Sequence, residues 1–186
     1  MNRYIADLHF GHKNILGFDR RPYSSIEEHD ADIIQRWNSV VGKTDHTYIL
    51  GDLSFCNEDR TIEILKSLNG YKHLVIGNHD GQFLKSVNFR KCFWNPHNYF
   101  EICNYAEIKD PAYPNIQVVL SHYPMPSFRR MEYGWIHLYG HVHATPEYYR
   151  LLEAMKIVGT KNAYNVGCMM EYMDYTPRTL EEILNY

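Results

Sequence analysis

Cysteine is scarce and scattered. Cys56, Cys92, Cys103 and Cys168 stand far apart, and no two form a Cys-x-x-Cys pair. That spacing argues against a thiolate zinc site and offers no disulfide framework, so the four read as small hydrophobic residues. Long apolar runs are missing too. No stretch approaches the roughly 18 residues that cross a bilayer. The opening Met1-Asn2-Arg3-Tyr4-Ile5-Ala6-Asp7 holds no apolar leader and reaches an acidic residue at once. A soluble, cytoplasmic protein without a membrane partner is expected. There is no excess of basic residues: 19 Lys and Arg stand against 22 Asp and Glu, a net charge of −3. No dedicated nucleic-acid-binding surface is therefore expected. Internal repeats, low-complexity tracts and linkers are also absent. The 186 residues fit one domain, 1–186. A chain of this length buries about 70% of its unfolded surface without cross-links.

Two residue types are abundant, with 16 tyrosines and 11 histidines. Histidine is the commonest metal ligand and the side chain that titrates near neutral pH, so its placement matters most. The spacing predicts a first strand over 3–6. Ser24 faces Glu27 as a capping box before a helix over 25–41, whose apolar residues Ile26, Ile33, Ile34, Trp37, Val40 and Val41 recur on one face. Strands are expected over 47–50, 73–76, 99–103, 116–120, 136–139 and 164–166. A second helix is expected over 60–68, ended by Asn69-Gly70. A last helix is expected to open at Thr176-Pro177. Helices alternating early with strands, then mostly strands, point to an α/β or α+β sheet protein.

Five predicted strands are each followed within two residues by metal-ligating side chains. The blocks are Asp7-Leu8-His9, Gly51-Asp52, Gly77-Asn78-His79-Asp80, Ser121-His122 and Gly140-His141-Val142-His143. Strands that run alike line up their C-terminal ends, where ligands are commonly bound. Glycine before three of the blocks permits sharp turns and close backbone approach. Carboxylate, imidazole and one amide oxygen, without thiolate, suit Mn, Fe, Zn and similar divalent ions. Three carboxylates and about five imidazoles exceed the needs of one ion but suffice for two if a carboxylate bridges. Two such ions form a clamp for in-line attack on phosphorus.

In this order the blocks resemble the calcineurin-like metallophosphoesterase superfamily, whose run is D-x-H, G-D, G-N-H-D/E, a lone H, and G-H-x-H. The likeness spans Asp7 to His143. The run from Asp7 to Ile15, with Arg21-Pro22 before a Ser-capped helix, resembles a compact bacterial and phage branch. Ala6 stands where Ser often precedes the first Asp, a position that is not a ligand. The resemblance implies a four-layer α/β/β/α sandwich of two β-sheets flanked by helices. It also implies two divalent ions, Mn, Fe, Zn, Ni or Co. One ion would take Asp7, His9, Asp52 and His143; the other would take Asp52, Asn78, His122 and His141.

The activity so implied is hydrolysis of a phosphate ester by a hydroxide held between the ions. His79 is the candidate proton donor, because it follows Asn78 without needing to bind metal. Asp80 would orient that imidazole, or else cap a helix over 81–87. His12 would either approach the substrate from the first loop or cap a helix over 12–17. Arg21 would either clamp a phosphate or sit as a surface charge. His29, His46, His73, His97 and His137 are expected to be exposed or satisfied in the fold. Tyr133, Tyr139, Tyr148, Tyr149, Tyr164, Tyr172 and Tyr175 read as core or surface, with one or two free to stack on a substrate ring. The spacer between the third and fourth blocks, 81–121, is too short for a large cap. The resulting open site favours phosphodiesters. The rival readings are a catalytically weak metal-binding scaffold and a nuclease for nucleotides or nucleic-acid ends on the same fold.

Overall fold

A computed structural model describes residues 1–85 and 100–186. Cys92, His97 and the far end of the helix expected over 81–87 lie outside the described residues. The first sheet holds β1 (Asn2–Ile5), β2 (His46–Leu50), β3 (Tyr71–Val75) and β4 (Phe100–Cys103) in that order, all parallel. The second holds β5 (Ala106–Asp110), β6 (Tyr113–Leu120), β7 (Ile136–Tyr139) and β8 (Ala163–Asn165). Within it β5 and β6 form an antiparallel hairpin, while β6, β7 and β8 run parallel. The sheets meet where Ala6 pairs with Gly167. There Ala6 N donates to Val166 O at 2.8 Å and Cys168 N donates to Ala6 O at 2.9 Å.

One apolar core joins both sheets to the helices. It contains Ile5, Ile49, Leu74, Val118, Leu120 and Leu138 from strands, and Ile33, Trp37, Ile62 and Leu65 from α2 (Ile26–Val40) and α3 (Glu58–Ser67). β7 is buried at every position, on both faces of its sheet, as parallel strands covered by layers on each side are. The fold is thus an α/β sandwich of two four-stranded sheets flanked by helices. Among the described residues no helix is long and apolar enough to cross a membrane.

Several boundaries differ from the sequence reading, each for a local reason. The N-cap of α2 is Ser25 rather than Ser24: its hydroxyl accepts from Glu28 N at 3.1 Å, and the Glu28 carboxylate accepts from Ser24 N at 2.8 Å. Both Ser-x-x-Glu pairs fit the pattern, and the extended backbone at Ser25 selects the later one. The last helix is α6 (Leu180–Leu184), opened by a Thr179–Glu182 capping box and not by Thr176-Pro177. Pro111-Ala112 is the turn of the β5–β6 hairpin, tightened by Ala112 N donating to Asp110 Oδ1 at 2.9 Å. A helix absent from the sequence reading, α5 (Pro146–Val158), is capped by Thr145 and ends at Gly159 in the left-handed conformation. Two short helices, α1 (Ile15–Phe18) and α4 (Gly81–Leu84), lie in the loops after β1 and β3.

Candidate metal centre

The backbone marks the site before any side chain is considered. Ten described residues other than glycine have positive φ. Five of them are Asp7 (56°), His9 (53°), Asp52 (53°), His141 (72°) and His143 (48°). Such conformations cost about 1–3 kcal/mol each, persist only where the surroundings fix them, and cluster at functional sites. Here the loops leaving β1 and β2 continue side by side beyond the strands. Asp7 N donates to Gly51 O (3.1 Å), His9 N to Asp52 O (2.9 Å) and Phe10 N to Leu53 O (3.0 Å). Glycine is required at two of the approaches. A Cβ on Gly51 would fall 2.3 Å from His122 Nδ1, and one on Gly140 would fall 2.7 Å from Asp7 Oδ2.

All seven sequence-predicted ligands come together there. Asp7, His9, Asp52 and His143 each offer a ligand atom within 4.8 Å of the others. His143 Nε2 lies 3.9 Å from Asp7 Oδ1, and His9 Nε2 lies 3.7 Å from Asp52 Oδ2. On the other side of Asp52, the Asn78 amide oxygen sits 2.9 Å from His122 Nε2 and 3.0 Å from His141 Nδ1. His122 Nε2 is 3.7 Å from Asp52 Oδ1. Asp52 therefore turns one carboxylate oxygen to each group of donors.

The donors fit a cation on two counts. His9 Nε2 is buried and has no hydrogen-bond partner. Asp7 and Asp52 are buried, yet among the described residues neither pairs with Lys or Arg. Uncompensated buried carboxylates are costly, and a metal ion supplies the missing charge. Burial pushes the Asp7 carboxyl above its ordinary range. Burial, reinforced by His143, holds the His9 imidazole far below its usual value and so in the neutral, ligating form. Burial also lowers His141. It pulls His143 down as well, but the hydrogen bond that His143 donates to Asp19 and the charge of Asp7 lift that imidazole above normal.

Asp19, a residue the sequence reading missed, fixes His143 from behind. Its Oδ1 accepts from His143 Nδ1 at 2.8 Å, which leaves Nε2 aimed at the cluster. His122 is oriented in the same way, with Nδ1 donating to Leu50 O at 2.8 Å. Metal-bound histidines usually have their other ring nitrogen held like this, and losing the partner costs about 10–100-fold in affinity. Asp19→Asn is therefore expected to weaken divalent-metal binding by roughly 10–100-fold and also to lower the melting temperature, because it removes the carboxylate that pairs with buried Arg21. Calorimetric titration with Mn²⁺, beside a thermal melt, checks it; unchanged affinity would remove Asp19 from the centre. In the sequence Asp19 was only an acid beside two arginines, with no spacing to distinguish it from a surface charge.

Two expected roles are corrected. Arg21 faces no substrate: it is buried, and every guanidinium N–H is engaged. Nε and Nη2 donate to Asp19 Oδ2 (3.0 and 2.8 Å), Nη1 to Leu8 O (3.1 Å) and Nη2 to Asp7 O (2.9 Å), while Nη1 also meets His29 Nε2 at 2.8 Å. It clamps the first ligand loop from beneath. Asp80 neither orients His79 nor caps α4 with its side chain. Its buried carboxylate accepts from Asp52 N (3.0 Å), Leu53 N (2.8 Å) and Gly77 N (2.7 Å), tying the loop after β2 to the loop after β3.

The remaining residues divide cleanly. His79 is 47% exposed, its Nε2 lies 4.0 Å from Asp52 Oδ2, and its ring tilts over Phe55 at 4.7 Å. His12 stands at the same rim, stacked on Phe55 at 3.9 Å with Nδ1 3.2 Å from His9 Nδ1. It is Asn14, not His12, that occupies the N-cap of α1. His29, His46, His73 and His137 are satisfied within the fold. Tyr123, outside the set singled out above, has its ring 4.5 Å from His141.

Comparison with known proteins places the chain among phage and archaeal proteins. It is 33% identical over 159 residues to the gene 66 protein of Mycobacterium phage L5, covering 76% of each chain. It is 30% identical over 182 residues to the uncharacterized protein MJ1445 of Methanocaldococcus jannaschii, covering 97% of this chain and 87% of that one. The crystal structure of the protein of unknown function AQ665 from Aquifex aeolicus superposes with a TM-score of 0.71 at 25% identity, covering 100% of this chain and 98% of that one. No protein-family model matches.

Proposed function

The chain belongs to the family of the phage L5 gene 66 protein and MJ1445, and from that premise we propose that it is a dinuclear-metal phosphoesterase with the calcineurin-like fold. The observation that carries this reading is Asp52, which presents one oxygen to His9 and the other to His122, each at 3.7 Å. One ion would be held by Asp7, His9, Asp52 and His143, and the second by Asp52, Asn78, His122 and His141. When bound, the pair supplies hydroxide near neutral pH and neutralises phosphoryl oxygens. The chain's own residues do the rest. Asp80 and Arg21 lock the ligand loops. His79, half-exposed beside Asp52, gives a proton to the departing oxygen.

The substrate class proposed is a phosphodiester. A monoester dianion needs additional cationic contacts. Arg21 is spent beneath the loops, and Arg129 pairs with Glu107 at 2.7 Å and lies over Trp135. The test strips the protein with chelator, reloads it with Mn²⁺, counts ions by elemental analysis and compares kcat/KM on bis-p-nitrophenyl phosphate and p-nitrophenyl phosphate. Two ions per chain and a diester rate at least equal to the monoester rate are expected. A single tightly bound ion at full activity overturns the dinuclear reading. A tenfold monoester preference overturns the diester assignment, and no turnover with any divalent metal overturns the enzyme itself.

A further inference from the structure

A cavity of about 430 Å³ opens directly beside the Asn78–His122–His141 group, between the loop after His122 and α5. His141 forms part of its wall, so the cavity borders the candidate metal centre. Its volume lies in the range of small-molecule sites. Three kinds of surface line it. Tyr123, 51% exposed, is held edge-on against His141 and His122 with ring centroids 4.5 and 5.1 Å away. Val142, buried, and Leu151, half-buried, form an apolar floor. Glu147 and Arg150, three residues apart on α5 and so on neighbouring rows of one helix face, supply a carboxylate and a guanidinium. Both residues are exposed, and among the described residues Arg150 makes no ion pair or hydrogen bond.

An exposed aromatic ring, an aliphatic floor, one free cation and one acceptor are complementary to a flat heterocycle on a sugar that carries an anionic group. We propose that this cavity binds one organic arm of the phosphodiester, and that the arm is a nucleoside bearing a further phosphate. The base lies against Tyr123, the sugar rests on Val142 and Leu151, Glu147 accepts from a hydroxyl or exocyclic amine, and Arg150 pairs with the further phosphate. Guanidinium forks match phosphate oxygens two at a time, and stacking on an aromatic ring tolerates any base. Glu147 repels phosphate, which places the charged end of the arm towards Arg150, nearly one turn further along the helix. A single cation reads one additional phosphate, so the pocket suits a nucleotide or a chain end rather than the flank of a duplex. That agrees with the net charge of −3. This assignment rests on the phosphoesterase reading for its position next to the reacting phosphorus, but not for binding itself.

The test therefore has a kinetic and an equilibrium arm. In the first, the metal-loaded protein hydrolyses thymidine 5′-(p-nitrophenyl phosphate) with and without a 3′-phosphate. The 3′-phosphate is expected to lower KM by roughly tenfold, as a charge-assisted hydrogen bond would. Arg150→Ala is expected to bring the ratio of the two KM values to about one, and Arg150→Lys to restore part of it. Each ratio is taken within one variant and is indifferent to partial misfolding. In the second arm, thymidine 3′,5′-bisphosphate is titrated by calorimetry. Binding roughly tenfold weaker in Arg150→Ala, and weaker again in Tyr123→Ala but not in Tyr123→Phe, supports the pocket. A wild-type ratio of one beside normal turnover of bis-p-nitrophenyl phosphate overturns the pocket and leaves the phosphoesterase standing. Arg150-dependent binding without turnover of any ester does the reverse. If Arg150→Ala raises KM for p-nitrophenyl phosphate as much as for the 3′-phosphorylated ester, Arg150 holds the reacting phosphoryl group, and the proposal fails.

Discussion

Asp52→Asn is expected to empty both halves of the metal centre and lower turnover by more than about 10³-fold, since losing only a partner behind a ligand costs roughly 10–100-fold. The substitution is the gentlest available. Asparagine tolerates the left-handed backbone that Asp52 adopts at φ 53°, and its amide oxygen can still accept from His79 N, now 2.9 Å from Asp52 Oδ1. What disappears is the charge and the second ligating oxygen, and with them the link between the His9 and His122 sides. Metal content by elemental analysis, read beside kcat/KM and a thermal melt, separates the outcomes. Asn78→Ala is the counterpart, because the Asn78 amide oxygen meets His122 and His141 on one side of Asp52. It is expected to leave one ion on the Asp7–His9–His143 side. If Asp52→Asn retains two ions at wild-type turnover, Asp52 does not bridge.

How much of this was legible in the sequence depends on the range of the interaction involved. The strand ends were legible, because apolar runs stopped by Gly51 and Gly140 report on one element at a time. The candidate ligands follow the strands, so their convergence could be read from the blocks after β1, β2, β3, β6 and β7. The helix α5 was missed although Thr145-Pro146 and Gly159 are start and stop signals. Its exposed Tyr149, Ile157 and Val158 blur the helical stripe that would have revealed it. Strand β5 was missed, and β6 was read only from 116 onward, because Glu107, Lys109 and Pro114 interrupt the apolar alternation. The polar network behind the centre was out of reach altogether. It runs from Gly11 N to Asp30, His29, Arg21, Asp19 and finally His143. Each link is a contact between side chains whose buried state depends on the finished fold. Arg21 and Asp80 were misread for the same reason: a charged residue near a ligand looks alike in sequence whether it faces substrate or holds backbone.

On the proposed phosphoesterase reading, His79→Ala should leave metal content unchanged and still slow hydrolysis, by roughly 10²–10⁴-fold on an ester whose leaving oxygen is strongly basic. Its Nε2 stands 4.0 Å from Asp52 Oδ2, yet the side chain is 47% exposed and lies outside the group of four close donors. It is thus placed to reach a departing oxygen without being needed as a ligand. Among the described residues no side chain hydrogen-bonds the ring from behind as Asp19 clamps His143. Contact with Phe55, tilted 40° at 4.7 Å, sets its orientation, and Asp80 acts on the backbone alone. The loss should therefore depend on the leaving group. An alkyl phosphodiester needs the proton and suffers the full effect, whereas p-nitrophenolate departs unaided and suffers far less. Measuring kcat for the two substrates in wild type and variant, with metal content verified, gives the comparison. Equal losses on both would mean that His79 stabilises charge on the phosphoryl group instead of donating a proton. Loss of an ion in the variant would make it a ligand.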